Sequence, residues 1–241
     1  TIACPANSYN VIAVGSLGAL ENGGSRLTGP WNTTSSENIP GPTTGLYASG
    51  RCKPDLVAPG DCTIASISNP YVNDGTGSSL ASPHVAGAAA LLIQVARANG
   101  GSFVQPGGSV DPRAVRSALL TGAEKTVRTK PGVRPDPEWH TDGPAIPLDR
   151  HLGAGGLNVL EAKKVLLGED DETNFRALAF DTITLAEGSV ALPIGPIGVG
   201  RSIVATLVWN AHVYGIVADV SDLDLYLVKD GVDFAWSRST I

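Results

Sequence analysis

The stretch that decides the fold is GSSLASPHVAG, residues 77–87, in which a glycine and two serines lead into an apolar, helix-forming run. A serine hydroxyl at a helix start is held in a fixed direction, and nearby backbone N–H groups point at developing negative charge. Gly77 permits a tight turn and leaves room for a substrate chain. Pro83 lies near the N-terminus of the predicted helix, where the missing backbone N–H of proline is tolerated. The run therefore predicts a serine at the start of a helix over residues 79–98, which can serve either as a helix N-cap or as a nucleophile.

This run resembles the nucleophile signature of the subtilases, Gly-Thr-Ser-x-Ala-x-Pro-His-Val-Ala-Gly, with Ser78 in the place of threonine. The resemblance implies a subtilisin-like serine protease of peptidase family S8, which hydrolyses peptide bonds through an acyl-enzyme. It implies that Ser79 is the catalytic nucleophile. The structural residues implied around it are Ser78, Pro83 and His84, with His84 turned into the fold. The substrate-binding residues implied are Ala3, Pro5 and Ala6, as a wall of the S1 pocket, and Gly77.

The resemblance continues on both sides of the motif. NVIAVG at 10–15 is similar to the strand that follows the family's oxyanion-hole region, and GRCKPDLVAPG at 50–60 is similar to its Gly-Arg-x-Lys-Pro-Asp-x-x-Ala-Pro-Gly segment. Residues 112–123 and 153–158 resemble its closing helices. Together these matches imply that residues 1–167 are the C-terminal part of a catalytic domain. The implied fold is α/β, a three-layer subtilisin-like fold with a mainly parallel sheet and helix 79–97 at its centre.

The pattern changes after the acidic run 169–172, which we expect to lie in a linker over residues 168–174. Apolar and polar residues then alternate at strand spacing, which predicts an antiparallel β-module over 175–241. Parts of this module resemble the jelly-roll-like β-sandwich that some secreted subtilases carry. The predicted strands lie at 183–185, 190–192, 203–209 and 223–227, whereas 22–50 and 69–76 are predicted to be loops.

The partners of the serine are not found ahead of it. Subtilases place aspartate, then histidine, then serine along the chain, and residues 1–78 contain no histidine. The family's oxyanion asparagine is expected just before Thr1, and without any methionine Thr1 is not expected to be an initiating residue. A serine without a base is a weak nucleophile. We therefore expect an inactive fragment whose partners are a polypeptide substrate and the missing N-terminal half of the protease domain.

Two alternatives remain at this stage. GSSLA at 77–81 is close to the Gly-x-Ser-x-Gly elbow of α/β-hydrolases, although that elbow needs a strong strand directly before the serine. The downstream residues that would then complete a triad are His140, His151 or His212 with Asp142 or Asp149. Alternatively, the chain is a non-catalytic binding platform. Its module offers no aromatic stripe, since Trp209, Tyr226 and Trp236 all suit a core.

Composition limits the partners. The net charge of −6 comes without a cluster of lysine and arginine, which argues against nucleic acid and anionic membrane surfaces. The apolar stretch 85–98 is shorter than a membrane span.

Catalysis requires no cofactor, and the resemblance implies a secreted or extracytoplasmic protein with a structural calcium ion. Its expected ligands are Asp219, Asp222 and Asp224, although strand alternation also explains Asp222 and Asp224 as a solvent-facing side.

Overall fold

The computed structural model describes residues 5–6, 8–17, 37–39, 51–64, 72–124, 148, 152–170, 176, 178, 189–194, 203–210, 212–214, 217–219, 223 and 225–237. Helices, one parallel strand pair and several antiparallel pairs occur among them, so the chain is of the α/β class, as predicted. In chain order the elements are β1 (Val14–Leu17), β2 (Glu37–Ile39), β3 (Arg51–Lys53), β4 (Leu56–Pro59), β5 (Asp61–Ile64), β6 (Val72–Thr76), α1 (Ser78–Asn99), α2 (Pro112–Thr121), α3 (Val159–Leu167), β7 (His212–Tyr214), β8 (Val217–Asp219), β9 (Leu225–Lys229) and β10 (Val232–Ser237).

Contacts within the chain define two compact units. One contains residues 1–86, 123–157 and 209–241, and the other contains 87–122 and 158–208. The division falls inside α1, between Ala86 and Gly87. The domain boundaries expected from the sequence, at 167 and 175, stay predictions.

β4 is a well-buried strand of the first unit. It runs parallel to β1, with Val14 opposite Leu56 and Leu17 opposite Pro59. On its other side Val57 N–H donates to the carbonyl of Gly155 at 3.0 Å, and Leu157 N–H donates to the carbonyl of Val57 at 2.8 Å. Apolar residues on both faces of a strand are typical of a parallel sheet. Consistent with this, Leu56, Val57 and Ala58 are completely buried.

Gly153 lies where no other residue fits. Its φ is +58°, and a Cβ there would lie 2.5 Å from the carbonyl carbon of Asp55, which is closer than a Cβ approaches backbone atoms in proteins. Glycine alone combines this backbone conformation with the absence of a side chain. The close approach lets Ala154 N–H donate to the carbonyl of Asp55 at 2.8 Å.

α1 buries a single stripe of small and aliphatic side chains. The stripe repeats at helical spacing and consists of Ala81, Val85, Ala88, Leu92 and Ala96. The rest of the helix surface is more open, and Leu91 is 55% exposed. The sequence predicted a helix that lies at the centre of the fold. Within the described residues α1 is instead covered on one side, because no described element packs over its other faces.

α2 and α3 form the core of the second unit, and both have strong end signals. The Asp111 carboxylate caps α2 by accepting from Arg113 N–H at 2.9 Å, and Asn158 Oδ1 caps α3 by accepting from Glu161 N–H at 3.1 Å. Gly168 ends α3 with a φ of +65°. The Arg113 guanidinium hydrogen-bonds the Asp111 carboxylate and holds its pKa below the usual range.

Arg176 is the buried cation that closes α3. Its guanidinium pairs with Glu161 at 2.5 Å and donates to the carbonyl of Glu169 at 3.1 Å, while the Asp170 carboxylate accepts from its backbone N–H at 2.6 Å. Hydrogen bonds from Lys164 and then Arg176 lower the pKa of Glu161. The acidic run predicted to be a solvated linker therefore takes part in packing at Glu169 and Asp170.

The antiparallel pairs correct several sequence expectations. β2 lies inside the segment 22–50, and β6 inside 69–76, although both segments were predicted to be loops. Their ladders are made by backbone groups, so polar side chains do not prevent them. β9 and β10 confirm antiparallel strands in the C-terminal part, and β9 overlaps the predicted strand 223–227 but extends two residues beyond it. Residues 190–192 and 203–209 are not strands, and 183–185 lie outside the described residues.

Candidate active site

Ser79 is positioned by the ends of the parallel strands. Gly60 directly follows β4, and its N–H donates to the carbonyl of Leu17, the last residue of β1, at 3.0 Å. The carbonyl of Gly60 in turn accepts from Gly77 N–H at 2.6 Å. A Cβ on Gly60 would lie 2.7 Å from Ser16 Cβ, so this junction is tightly packed. The carboxyl ends of β1 and β4 are thus tied to the residue that starts the nucleophile motif, which is where α/β proteins place their ligand sites.

The first turn of α1 orients the serine. Gly77 has a φ of +119°, and its carbonyl accepts from Leu80 N–H at 3.0 Å and from Ala81 N–H at 3.4 Å. Ser79 itself is exposed, and a Cβ on Gly77 would meet nothing within 4 Å. The hydroxyl therefore stands at a helix N-terminus beside open space, where the partial positive charge of the helix favours an anion.

His84 lies away from Ser79. Five positions along a helix correspond to about 140° around the axis and about 7.5 Å along it. The Nδ1 of His84 is 2.8 Å from the carbonyl of Leu80, within its own helix. The expectation that His84 is a structural residue beside the nucleophile stays a prediction. Contrary to expectation, it is exposed rather than turned into the fold, because nothing among the described residues covers that side of α1.

The remaining predicted site residues are spread over the chain. Ser78 and Pro83 are exposed beside Ser79 on α1, Pro5 is exposed, and Ala6 is half-buried. Ala3 lies outside the described residues. Asp219 is in β8, but Asp222 and Asp224 lie outside them. No group of three metal-binding side chains occurs in the described part of the chain. The calcium site stays a prediction.

A pair of charged residues at the other end of β4 was not predicted to matter. Lys53 Nζ lies 2.5 Å from Asp55 Oδ2, and the two side chains are only 3% and 6% exposed. The sequence showed these residues as part of a matching segment without indicating that they pair with each other. Their spacing gave no signal, because β3 ends at Lys53 and β4 begins only at Leu56, so strand alternation does not relate the two side chains.

The comparison with known families decides the assignment. The model of the subtilase family, peptidase S8, matches residues 1–155. This chain belongs to the subtilase family. The assignment favours the subtilase interpretation of the Ser79 motif over the hydrolase elbow, whose other proposed residues, apart from His212 in β7, lie outside the described residues.

Solved structures with similarity to this subtilase chain include three proteases. The prenylagaramide maturation protease PagA is 25% identical, covering 67% of this chain and 44% of that chain, with a TM-score of 0.40. The self-cleaved protease domain of PatA is 26% identical, and the match covers 68% of this chain and 44% of that chain with a TM-score of 0.40. Fervidolysin from Fervidobacterium pennivorans is 22% identical, and the match covers 67% of this chain and 20% of that chain with a TM-score of 0.36. The chain thus spans less than half the length of these structures, and the family assignment rests on the family match.

α1 of this subtilase chain is longer than the apolar stretch recognised in the sequence. By length and composition alone its 22 residues would suffice to cross a membrane. The core helix of a soluble protein passes the same test, so the property is weak evidence. The exclusion of a membrane span on length is therefore corrected, and the absence of one stays a prediction.

Proposed function

We propose that this chain is the C-terminal part of the catalytic domain of a serine endopeptidase, with Ser79 as the nucleophile that forms the acyl-enzyme. The observation that carries the proposal is the placement of an exposed serine at the start of α1, tied through Gly77 and Gly60 to the carboxyl ends of β1 and β4. Such an anchor holds the hydroxyl in one direction, as attack on a carbonyl carbon requires.

The helix start also supplies a donor for the oxyanion. The N–H groups of Leu80 and Ala81 bind the carbonyl of Gly77, whereas the N–H of Ser79 precedes them in the first turn. It is the backbone donor nearest to the hydroxyl, and so the one suited to the negative charge that develops on the substrate oxygen. After attack by Ser79 Oγ, the hydroxyl proton passes to a base, and the same base protonates the leaving amine.

The base is proposed to come from a part of the protease outside residues 1–241. No histidine precedes Ser79 in this sequence, and His84 faces its own helix. The proposed N-terminal half has a surface to occupy, since α1 leaves Ala86, Gly87 and Leu91 exposed, and a Cβ on Gly87 would meet nothing within 4 Å. Small and apolar residues on an open helix face suit close packing against another element.

The substrate is proposed to be an extended polypeptide. Its P1 side chain would lie against the segment that contains Ala3, Pro5 and Ala6, and its backbone would pass beside Gly77, where there is no side chain to block it. We also propose that the protein acts outside the cytoplasm, as the appended β-module suggests by its resemblance to modules of secreted subtilases.

A covalent probe tests the proposal. In the full-length protein a fluorophosphonate is expected to label Ser79 stoichiometrically, because the completed site activates this hydroxyl. Ser79→Ala should abolish labelling and reduce kcat for a peptide substrate by about 10⁶-fold. Residues 1–241 alone should label barely faster than their own Ser79→Ala variant.

Ser82→Ala is the matched control, because Ser82 is also exposed in the first turns of α1 and has no proposed role. It should keep both labelling and activity. Labelling of any residue other than Ser79, or fast labelling of residues 1–241 alone, would contradict the proposal. In the second case, single substitution of His140, His151 and His212 would identify a downstream base.

A further inference from the structure

The buried Lys53–Asp55 pair clamps the chain that leads into β1. Lys53 Nζ donates to the carbonyl of Val11 at 3.0 Å, and Asp55 Oδ2 accepts from Ala13 N–H at 2.6 Å. The N–H of Asp55 also donates to the carbonyl of Ala13 at 2.8 Å. Asp55 thus binds both the N–H and the carbonyl of Ala13, and its partner Lys53 binds the carbonyl of Val11. Charge-assisted bonds of this kind fix position as well as direction.

The clamp acts where the strand ladder does not reach. Pairing of β1 with β4 begins at Val14 and Leu56, so residues 11–13 lie ahead of it. In that stretch, side-chain bonds from Lys53 and Asp55 complement the single backbone bond from Asp55 N–H. Among the described residues that precede this stretch, Ser8 N–H donates to the carbonyl of Pro5 at 2.9 Å. The clamp therefore sets where the segment 5–10 leaves the fold.

The pair is also far from the nucleophile along the sheet. Asp55 precedes β4 and Gly60 follows it, and an extended chain rises about 3.3 Å per residue, so the two ends are about 16 Å apart. Ser79 is anchored at the Gly60 end. Lys53 and Asp55 can therefore influence the site through the segment 5–10 and not by touching the scissile bond.

We propose that Lys53 and Asp55 are positioning residues for substrate selection: they hold residues 11–13 and thereby set the S1 wall formed by Pro5 and Ala6. This inference rests on the proposed function, because it assigns a substrate contact to segment 5–10. It separates two effects of the pair. Loss of the clamp should weaken and blur recognition of the P1 side chain, while the chemistry at Ser79 continues.

Two variants of the full-length protein test this. Asp55→Asn keeps an acceptor for Ala13 N–H but removes the carboxylate charge that holds Lys53 Nζ in place against the carbonyl of Val11. The double variant Lys53→Met/Asp55→Asn removes both charges, so the penalty of burying the Lys53 charge beside a neutral side chain disappears while the bond to Val11 is still lost. Glu169→Gln is the matched control, because it removes one charge from the exposed Lys163–Glu169 pair. Fluorophosphonate titration of Ser79 sets the concentration of active sites.

The readout is kcat and KM for peptide p-nitroanilides that differ only in the P1 residue, together with Tm. In both variants KM for the best P1 residue should rise about tenfold, below the roughly 10²-fold that a 1 Å misplacement can cost, and the differences between P1 residues should shrink. The kcat should change by no more than about twofold. Tm should fall in Asp55→Asn and recover in the double variant, whereas KM should not recover. The control should match the wild type.

Several results would overturn the inference. One is a lowered Tm with unchanged kinetics at titrated sites, and another is recovery of KM together with Tm in the double variant. A third is an equal fall in kcat for every P1 residue with KM unchanged. Loss of titratable Ser79 from both variants would likewise count against it, because the pair would then be a requirement of folding. Failure of the proposed function looks different, since the wild type itself would then not label at Ser79.

Discussion

The residues up to 170 and the residues from 189 onward differ in how they bury apolar side chains. Every buried apolar side chain in the described part of the chain lies between Ala13 and Leu166. Among the described residues beyond 170, the buried side chain is that of Arg176, which is charged. Large apolar residues there, such as Val228 and Val232, are 54% and 67% exposed. Strand patterns are present in both regions. An alternating sequence can therefore form a strand locally, but its apolar side chains are buried only where another element covers that face of the strand.

The β9–β10 hairpin illustrates the point. Leu225 and Leu227 are half-buried, while Tyr226 and Val228 between and after them are exposed. The alternation expected of a strand is present, since neighbouring side chains point to opposite faces. β4, in contrast, has bonded neighbours on both sides, and its Leu56, Val57 and Ala58 side chains are completely buried. An isolated two-stranded hairpin has little stability of its own.

The strongest test of this comparison makes the same substitution in both regions. Gly153→Ala puts a Cβ against the backbone of Asp55 at a φ of +58°, whereas Gly231→Ala in the β9–β10 turn meets nothing within 4 Å at a φ of +77°. We expect Gly153→Ala to lower the free energy of unfolding by about 4 kcal/mol, and Gly231→Ala by about 1 kcal/mol from backbone strain alone. Urea unfolding measures both. Equal losses would break the comparison.

A second test removes apolar atoms. Leu119 in α2 is 1% exposed, and its replacement by alanine should lower the free energy of unfolding by about 3 kcal/mol, since it leaves a cavity. Val228→Ala should cost less than about 0.5 kcal/mol, because the side chain is already largely in water. Thermal unfolding of the two variants checks this. A large loss for Val228→Ala would show that the C-terminal region is covered in solution.

The smallest effect concerns pH in the helical region. Lys164 and Arg176 lower the pKa of Glu161 from its ordinary value of 4.5. A carboxyl group with a lowered folded-state pKa contributes stability above its unfolded pKa, and this contribution is lost as the pH falls through the folded-state pKa. Tm of the wild type and of Glu161→Gln should thus differ at neutral pH and converge at a pH well below 4.5.

The control for that measurement is Glu124→Gln, because Glu124 is an exposed glutamate outside the cluster. Its Tm should keep the pH-dependent contribution that Glu161→Gln loses, because the Glu161 cluster is intact in this variant. A constant difference between the wild type and Glu161→Gln down to low pH would mean that Glu161 acts through packing rather than charge.

Much of the helical architecture was predictable, because its signals are local. The nucleophile motif predicts the start of α1 to within one residue, and Asp111 and Asn158, which cap α2 and α3, are residue types that favour helix starts. Strand β6 was missed because its residues are polar and it forms through backbone pairing with β5. The same holds for β2, whose partner β3 follows a stretch rich in turn-forming residues.

The candidate site divides in the same way. The identity of Ser79 and the family follow from one continuous run of residues, since a nucleophile, a turn glycine and a helix start are encoded next to each other. The junction of Gly60 with Gly77 and the exposure of His84 depend on which elements meet in space. A local pattern cannot determine them, because each depends on residues elsewhere in the chain.

The sequence by itself determined the family, the position of the serine and the start of α1 to within one residue, because these are properties of neighbouring residues. Only the tertiary structure decided which face of α1 is buried, where Gly153 must pass, and that Lys53 and Asp55 clamp residues 42 positions away. The physical reason is that burial and charge pairing are properties of surfaces in contact. Those surfaces are formed by segments that are far apart in the chain, and the sequence of one segment does not indicate which other segment it will contact.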